Sequence, residues 1–111
     1  MLLLNSSVNN SLTWKKLSTV TGTTEISLPN EFNEILLMIT FNSFEDSIFS
    51  IIIPKIDLSE TIRGYRCGYA PSSSNLSGIR VDVNISKAVL NVASAGGTSY
   101  LPNTKLTVYY R

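Results

Sequence analysis

The sequence predicts an all-β protein: one antiparallel β-sandwich of about eight short strands, jelly-roll-like in architecture. Three observations carry that expectation. Ile79, Val81, Val83 and Ile85 alternate with Arg80, Asp82, Asn84 and Ser86, the two-residue period of a strand with one buried and one wet face. Short runs rich in Ile, Val, Thr and aromatics recur between Gly, Pro, Asn and Ser clusters, at the spacing of a sandwich or barrel. No helix of normal length is expected anywhere. At 111 residues the chain has room for one core and not two. Residues 1–11, rich in Leu, Asn and Ser, read as a leader or stem remnant, and residues 12–111 as the single domain.

Leu12–Val20 is expected as the first strand, with Trp14 as its anchor, and Thr21–Thr24 turns the chain at Gly22. Glu25–Leu28 is a short second strand. Pro29–Asn33 breaks the pattern as a turn, with a single helical turn as the alternative and Phe32 pointing into the core. Glu34–Phe41 and Ser47–Ile53 follow, joined by Asn42–Asp46. Both depart from clean alternation. Ile35, Leu37, Ile39 and Phe41 make one face of the first, yet Leu36 and Met38 make the other face apolar too. In the second, Phe49, Ile51 and Ile53 face one way while Ile48 and Ile52 face the other. A sandwich strand needs one apolar face. The second face is therefore expected to be covered by a loop, by the N-terminal leader or by another subunit. Left open, the uncharged F-S-I-I-I run would be an aggregation hazard. Helix is rejected for Glu34–Phe41 because Ile and Phe dominate, Asn and Pro punctuate the flanks and no cap is evident.

Pro54–Ser59 continues as an edge or bent segment, since Pro54 has no N–H for a central ladder. Ile62–Ile85 is a hairpin around the loop P-S-S-S-N-L-S-G, with Arg63, Tyr65, Cys67 and Tyr69 on one side of its first half. Ile79–Ile85 belong to the core. Lys87–Ala95 is a further strand, residues 96–103 are a loop, and Thr104–Arg111 closes the chain. Leu106, Val108 and Tyr110 share one face of that last strand, with Thr107 and Tyr109 on the other. Strand order is not legible in such a pattern.

Composition narrows function more than it defines it. Nine basic residues against eight acidic give a net charge of +1, and no basic run exceeds Lys15-Lys16. That argues against nucleic acid and against a basic membrane-binding surface. The leucines at the start are too few and lack the basic flank of a signal peptide, and no stretch has the roughly 20 apolar residues of a membrane span. Cys67 is the only cysteine, which excludes an intrachain disulfide and a cysteine-based zinc site. A lone thiol suits a reducing compartment such as bacterial cytoplasm, and here reads as a small buried apolar group.

With no histidine in the chain, the commonest general base and metal ligand is missing, and Ser-His-Asp or Cys-His catalysis within one chain is excluded. Glu45-Asp46 is the only adjacent acidic pair and supplies too few oxygens for calcium, so it reads as a solvated hairpin tip. The remaining carboxylates are dispersed, and neither Gly64–Gly68 nor Gly96-Gly97 has the strand–loop–helix setting of a phosphate site. No catalytic residue, metal ligand or cofactor is expected. Aromatics are the better functional candidates: Tyr65, Tyr69 and Tyr100 are candidate ligand or receptor contacts, with Tyr65 and Tyr69 lining the core beside Cys67 as the competing assignment. Leu36, Met38, Ile48 and Ile52 are the candidate oligomer interface.

Read together, W-K-K-L-S-T-V-T-G-T-T, S-L-P-N-E-F-N-E-I-L-L, I-I-I-P-K-I-D-L, Y-R-C-G-Y and the terminal L-T-V-Y-Y-R form an ordered pattern across residues 12–111. This pattern resembles the small β-sandwich domains at the C-termini of tail-fibre or head-fibre proteins from phages and prophages of Gram-positive bacteria. The resemblance implies a non-enzymatic virion protein, made in the bacterial cytoplasm, that works as a homo-oligomer, often a trimer, at a fibre tip contacting the host surface. It transfers no site residue. The partners it implies are further copies of the chain and a host cell-surface glycan or protein, without nucleic acid and without membrane insertion. A carbohydrate-binding module using surface tyrosines is the alternative, and a hydrolase with a carboxylate pair facing across a cleft is the next.

Overall fold

The alternating segments assemble into two four-stranded antiparallel sheets. The computed structural model describes residues 13–41, 47–66, 78–93 and 103–111. In chain order the strands are β1 (Lys15–Thr21), β2 (Ile26–Ser27), β3 (Glu34–Phe41), β4 (Ser47–Pro54), β5 (Arg63–Arg66), β6 (Ile79–Val83), β7 (Lys87–Val92) and β8 (Thr104–Tyr110). Sheet I has the order β1-β8-β3-β4 and sheet II the order β2-β7-β6-β5. Two pairings, β1 with β8 and β2 with β7, nest from the chain ends inward as in a jelly roll. The inner four strands make two sequence-adjacent antiparallel pairs, β3–β4 in sheet I and β5–β6 in sheet II. The expected all-β sandwich is what the chain forms.

The inward-facing residues of both sheets merge into a single apolar cluster. Ile35, Leu37 and Ile39 of β3, Leu106 and Val108 of β8, Val81 of β6 and Leu90 of β7 are all 0% exposed. Each such side chain contributes roughly 1.5–3 kcal/mol by leaving water. Phe49 and Ile51 of β4, Leu17 and Val20 of β1 and Tyr110 pack half-buried around it. No described buried side-chain nitrogen or oxygen lacks a hydrogen-bond partner, which is the condition for burying the polar Thr104.

Connections follow local chemistry. Gly22 has φ +67°, a left-handed conformation that a Cβ disfavours, and its N–H donates to the Thr104 carbonyl at 3.0 Å. The 29–33 segment forms bends and no helical turn, and Phe32 is buried as expected. Pro54 ends β4 at the edge of sheet I, and the segment beyond it is bent, through a 3-10 turn at Lys55–Asp57. One boundary differs more. The alternation in Ile79–Ile85 extends two residues beyond the strand, because Asn84 turns the chain. Its side-chain oxygen accepts from the N–H groups of Ser86 (2.8 Å) and Lys87 (3.0 Å), and its own N–H donates to the Lys87 carbonyl. Ile85 therefore sits in the turn, half-buried against the cluster, while Ile79, Val81 and Val83 are core residues.

Trp14 takes a different place from the one expected. It precedes β1 and lies on the outer side of sheet I, with the Arg111 guanidinium 3.9 Å from its ring centroid. The expected strand begins at Leu12, whereas the β1–β8 ladder starts at Lys15 and has a register shift between Lys16 and Ser18. The bulge there reverses the facing of β1, so Trp14 and Lys16 point outward while Val20, which an unbroken period would put beside them, points inward.

Candidate functional site

The second apolar face of β3 and β4 has a definite position. β3 lies inside sheet I, between β8 and β4, so its outward residues have neighbours on both sides. The register aligns Lys16, Tyr109, Leu36 and Ile52 in one row across all four strands. The next row is Thr19, Thr107, Met38 and Ser50. Thr19 and Thr107 share a hydroxyl hydrogen bond of 2.9 Å there. At the end of the face Arg111 forms an ion pair with Glu34 while stacking on Trp14. The centre of the face is thus Tyr109, Leu36, Ile52 and Met38, with polar groups on either side.

Exposure along that face rises toward the edge. Leu36 and Met38 are half-buried by their neighbours, whereas Ile52 is 49% exposed. β4 is also an edge strand: among the described residues its only ladder is with β3. It carries no charged residue and no proline before Pro54, so among the devices that discourage edge pairing it has only the register shift opposite Ile39 and Thr40. Ile48 belongs to the same strand, but its side chain lies outside the described residues. Three of the four expected interface residues are thereby brought to one face, and Tyr109 joins them. Tyr109 was recognisable in the sequence as the outward aromatic of the last strand.

The tyrosine candidates separate. Tyr65 on β5 stands opposite Val81 and packs, half-buried, against the core cluster. Tyr69 and Tyr100 lie outside the described residues, as do Cys67, Glu45, Asp46, Gly96, Gly97 and the segment 1–11.

The outer face of sheet II carries a polar network that was not singled out from the sequence. Arg80 Nε donates to Asp82 Oδ1 at 2.8 Å, and Arg80 Nη1 donates to the Val92 carbonyl at 2.6 Å. Asn91 Nδ2 donates to Asp82 Oδ2 at 3.1 Å. The hydrogen bond to Asp82, then its charge, hold the Arg80 guanidinium above its ordinary pKa. Gly64 stands directly opposite Asp82 in the β5–β6 ladder, and the bare backbone there makes room for the pair. Opposite charges two residues apart on a strand share a face, so the signal was present in R-V-D. Its hydrogen bonds join Arg80, Asp82 and Asn91 to one another and to the Val92 backbone, which is the arrangement of a structural brace.

A cleft of about 340 Å³ opens at the end of the sandwich where β1 and β3 begin and β4 and β8 finish. Thr13, Lys15, Glu31, Phe32, Asn33, Lys55, Tyr110 and Arg111 line it. Among the described residues there is no group of three His, Cys, Asp or Glu side chains able to hold a metal ion, and no helix long and apolar enough to cross a membrane. No protein-family model, curated protein or solved structure matches this chain.

Proposed function

We propose that this chain is a non-enzymatic structural domain of a phage or prophage virion that works as a homo-oligomer, with the outer face of sheet I as its self-contact. The observation that carries the reading is the row Tyr109, Leu36 and Ile52 with Met38 beside it, on a sheet whose edge strand β4 has no charge to discourage pairing. The polar sandwich strands elsewhere need no second apolar face; here two neighbouring strands share one. A second copy of the chain is the occupant favoured, because the same face then covers itself and each Ile52 leaves water. The resemblance across residues 12–111 to fibre-tip sandwiches supports a trimer and contact with the host surface. Static light scattering tests it: at micromolar concentration the reading requires a mass that is a multiple of the 12.2 kDa chain. A single-chain mass across that range overturns it.

A further inference from the structure

The end cleft brings together two lysines that form no ion pair with a carboxylate among the described residues. The N–H groups of Asn33 and Glu34 both donate to the Arg111 carbonyl, at 2.7 and 3.1 Å. The Lys55 N–H donates to the Asn33 carbonyl at 2.8 Å, which fixes the start of the 3-10 turn against the start of β3. The walls are therefore set by strand ends, the 29–33 bends and the 3-10 turn, tied together by main-chain hydrogen bonds. Into this frame project two amines from different segments. Lys15 Nζ lies 6.0 Å from the centroid of the Tyr110 ring. Lys55 Nζ lies 4.9 Å from that of Phe32, and donates one hydrogen bond, to the Asn30 carbonyl at 3.1 Å.

Among the described residues no ion pair joins Lys15 or Lys55 to a carboxylate; the Arg111 guanidinium, by contrast, is matched by Glu34. An ammonium carries three donors and no acceptor, so both lysines retain N–H groups for an incoming anion. Glu31 is the one side-chain carboxylate among the lining residues, and it is exposed. Half-buried Tyr110 gives ring surface, and Asn33 an exposed amide, beside the two cations, with the buried Phe32 as the floor under Lys55. The volume falls in the range of about 300–1,000 Å³ usual for small-molecule sites.

We propose that this cleft binds a small anionic organic molecule, one carboxylate or phosphate carried on a hydroxylated body of single-sugar size. Lys15 and Lys55 take the anion, and the Tyr110 ring bears the body. The charge selects against neutral and cationic ligands, and the aromatic wall favours an anion that carries C–H surface over a bare ion. The site is at the strand ends, apart from the apolar rows of Leu36 and Met38.

The test is an NMR titration of the isotopically labelled full chain, at low salt, with glucuronate, glucose 6-phosphate and glucose. Both acidic sugars should saturate shifts of the Asn33, Glu34 and Lys55 amides with a Kd on the order of 1 mM, and glucose should leave them in place. The tighter of the two acids identifies carboxylate or phosphate as the group preferred. Lys15→Ala and Lys55→Ala should each weaken binding about three- to tenfold, and Glu31→Gln should tighten it by about twofold, all with the remaining spectrum unchanged. Equal responses to glucose and the acids, or full affinity in both lysine variants, overturn the proposal.

Discussion

Gly64→Ala probes the sheet II brace at its tightest point. The added Cβ would stand 3.1 Å from Asp82 Oδ1 and 3.2 Å from Arg80 Cδ, closer than ordinary van der Waals contact. Asp82 cannot simply swing away, since its carboxylate is held on one side by Arg80 Nε and on the other by Asn91 Nδ2. Arg80 is itself tethered to the Val92 carbonyl at 2.6 Å. Two effects compete. Alanine removes backbone freedom from the unfolded chain, worth about 0.4–1 kcal/mol in favour of folding. Overpacking against neighbours that cannot yield costs about 1–3 kcal/mol. With two contacts needing a few tenths of an ångström each, crowding wins, and a net loss of about 1 kcal/mol is expected. Thermal or urea unfolding followed by circular dichroism would show it as a lowering of the midpoint by about 4 °C. Repeating the substitution in an Arg80→Ala background removes one of the two obstructing groups and leaves Asp82 freer to move, so there Gly64→Ala should be neutral or stabilising. A stabilising Gly64→Ala in the otherwise unchanged chain would refute the packing argument.

Three further substitutions separate core, turn and surface. Leu37→Ala opens a cavity at a fully buried position of an inner strand and should cost about 2–5 kcal/mol in urea unfolding; a loss under about 1 kcal/mol would mean that β3 is not central to the core. Asn84→Ala removes the acceptor for two N–H groups in the β6–β7 turn and should cost about 1 kcal/mol, while Asn84→Asp, which keeps an acceptor, should cost less. Equal losses for the two would show that the amide oxygen is not what holds the turn. Ile52→Lys, at a 49% exposed position, should change the stability of the single subunit by no more than about 0.5 kcal/mol yet abolish self-association. An unaltered oligomer mass would remove β4 from the interface.

What the sequence reveals depends on how local the controlling interaction is. The bounds of β3 and the inward sides of β3, β4, β6 and β8 follow from a period of two that neighbouring residues set by themselves. Trp14 falls just outside the strand expected to hold it because the ladder with β8 begins at Lys15, a pairing that neither segment shows alone. Hydrophobic alternation continues through Ile85, but Asn84, a residue that turns chains well, ends the strand before it. The order β1-β8-β3-β4 joins strands distant in sequence, and no local pattern encodes that. The interface candidates were legible as an anomaly, namely apolar residues on both faces of adjacent strands; their alignment with Tyr109 was not. The end cleft was invisible for the same reason as the strand order. Lys15, Phe32, Lys55 and Tyr110 come from four segments that meet only through the ladder and the 29–33 bends.

The mass of the intact chain in solution bears most directly on the role proposed for the outer face of sheet I. Size-exclusion chromatography with multi-angle light scattering, over a micromolar dilution series, should give a discrete multiple of 12.2 kDa, with three copies as the multiple expected for a fibre-tip domain. A constant mass of 12.2 kDa throughout would contradict it, leaving Leu36, Met38, Ile52 and Tyr109 as an apolar face without a partner.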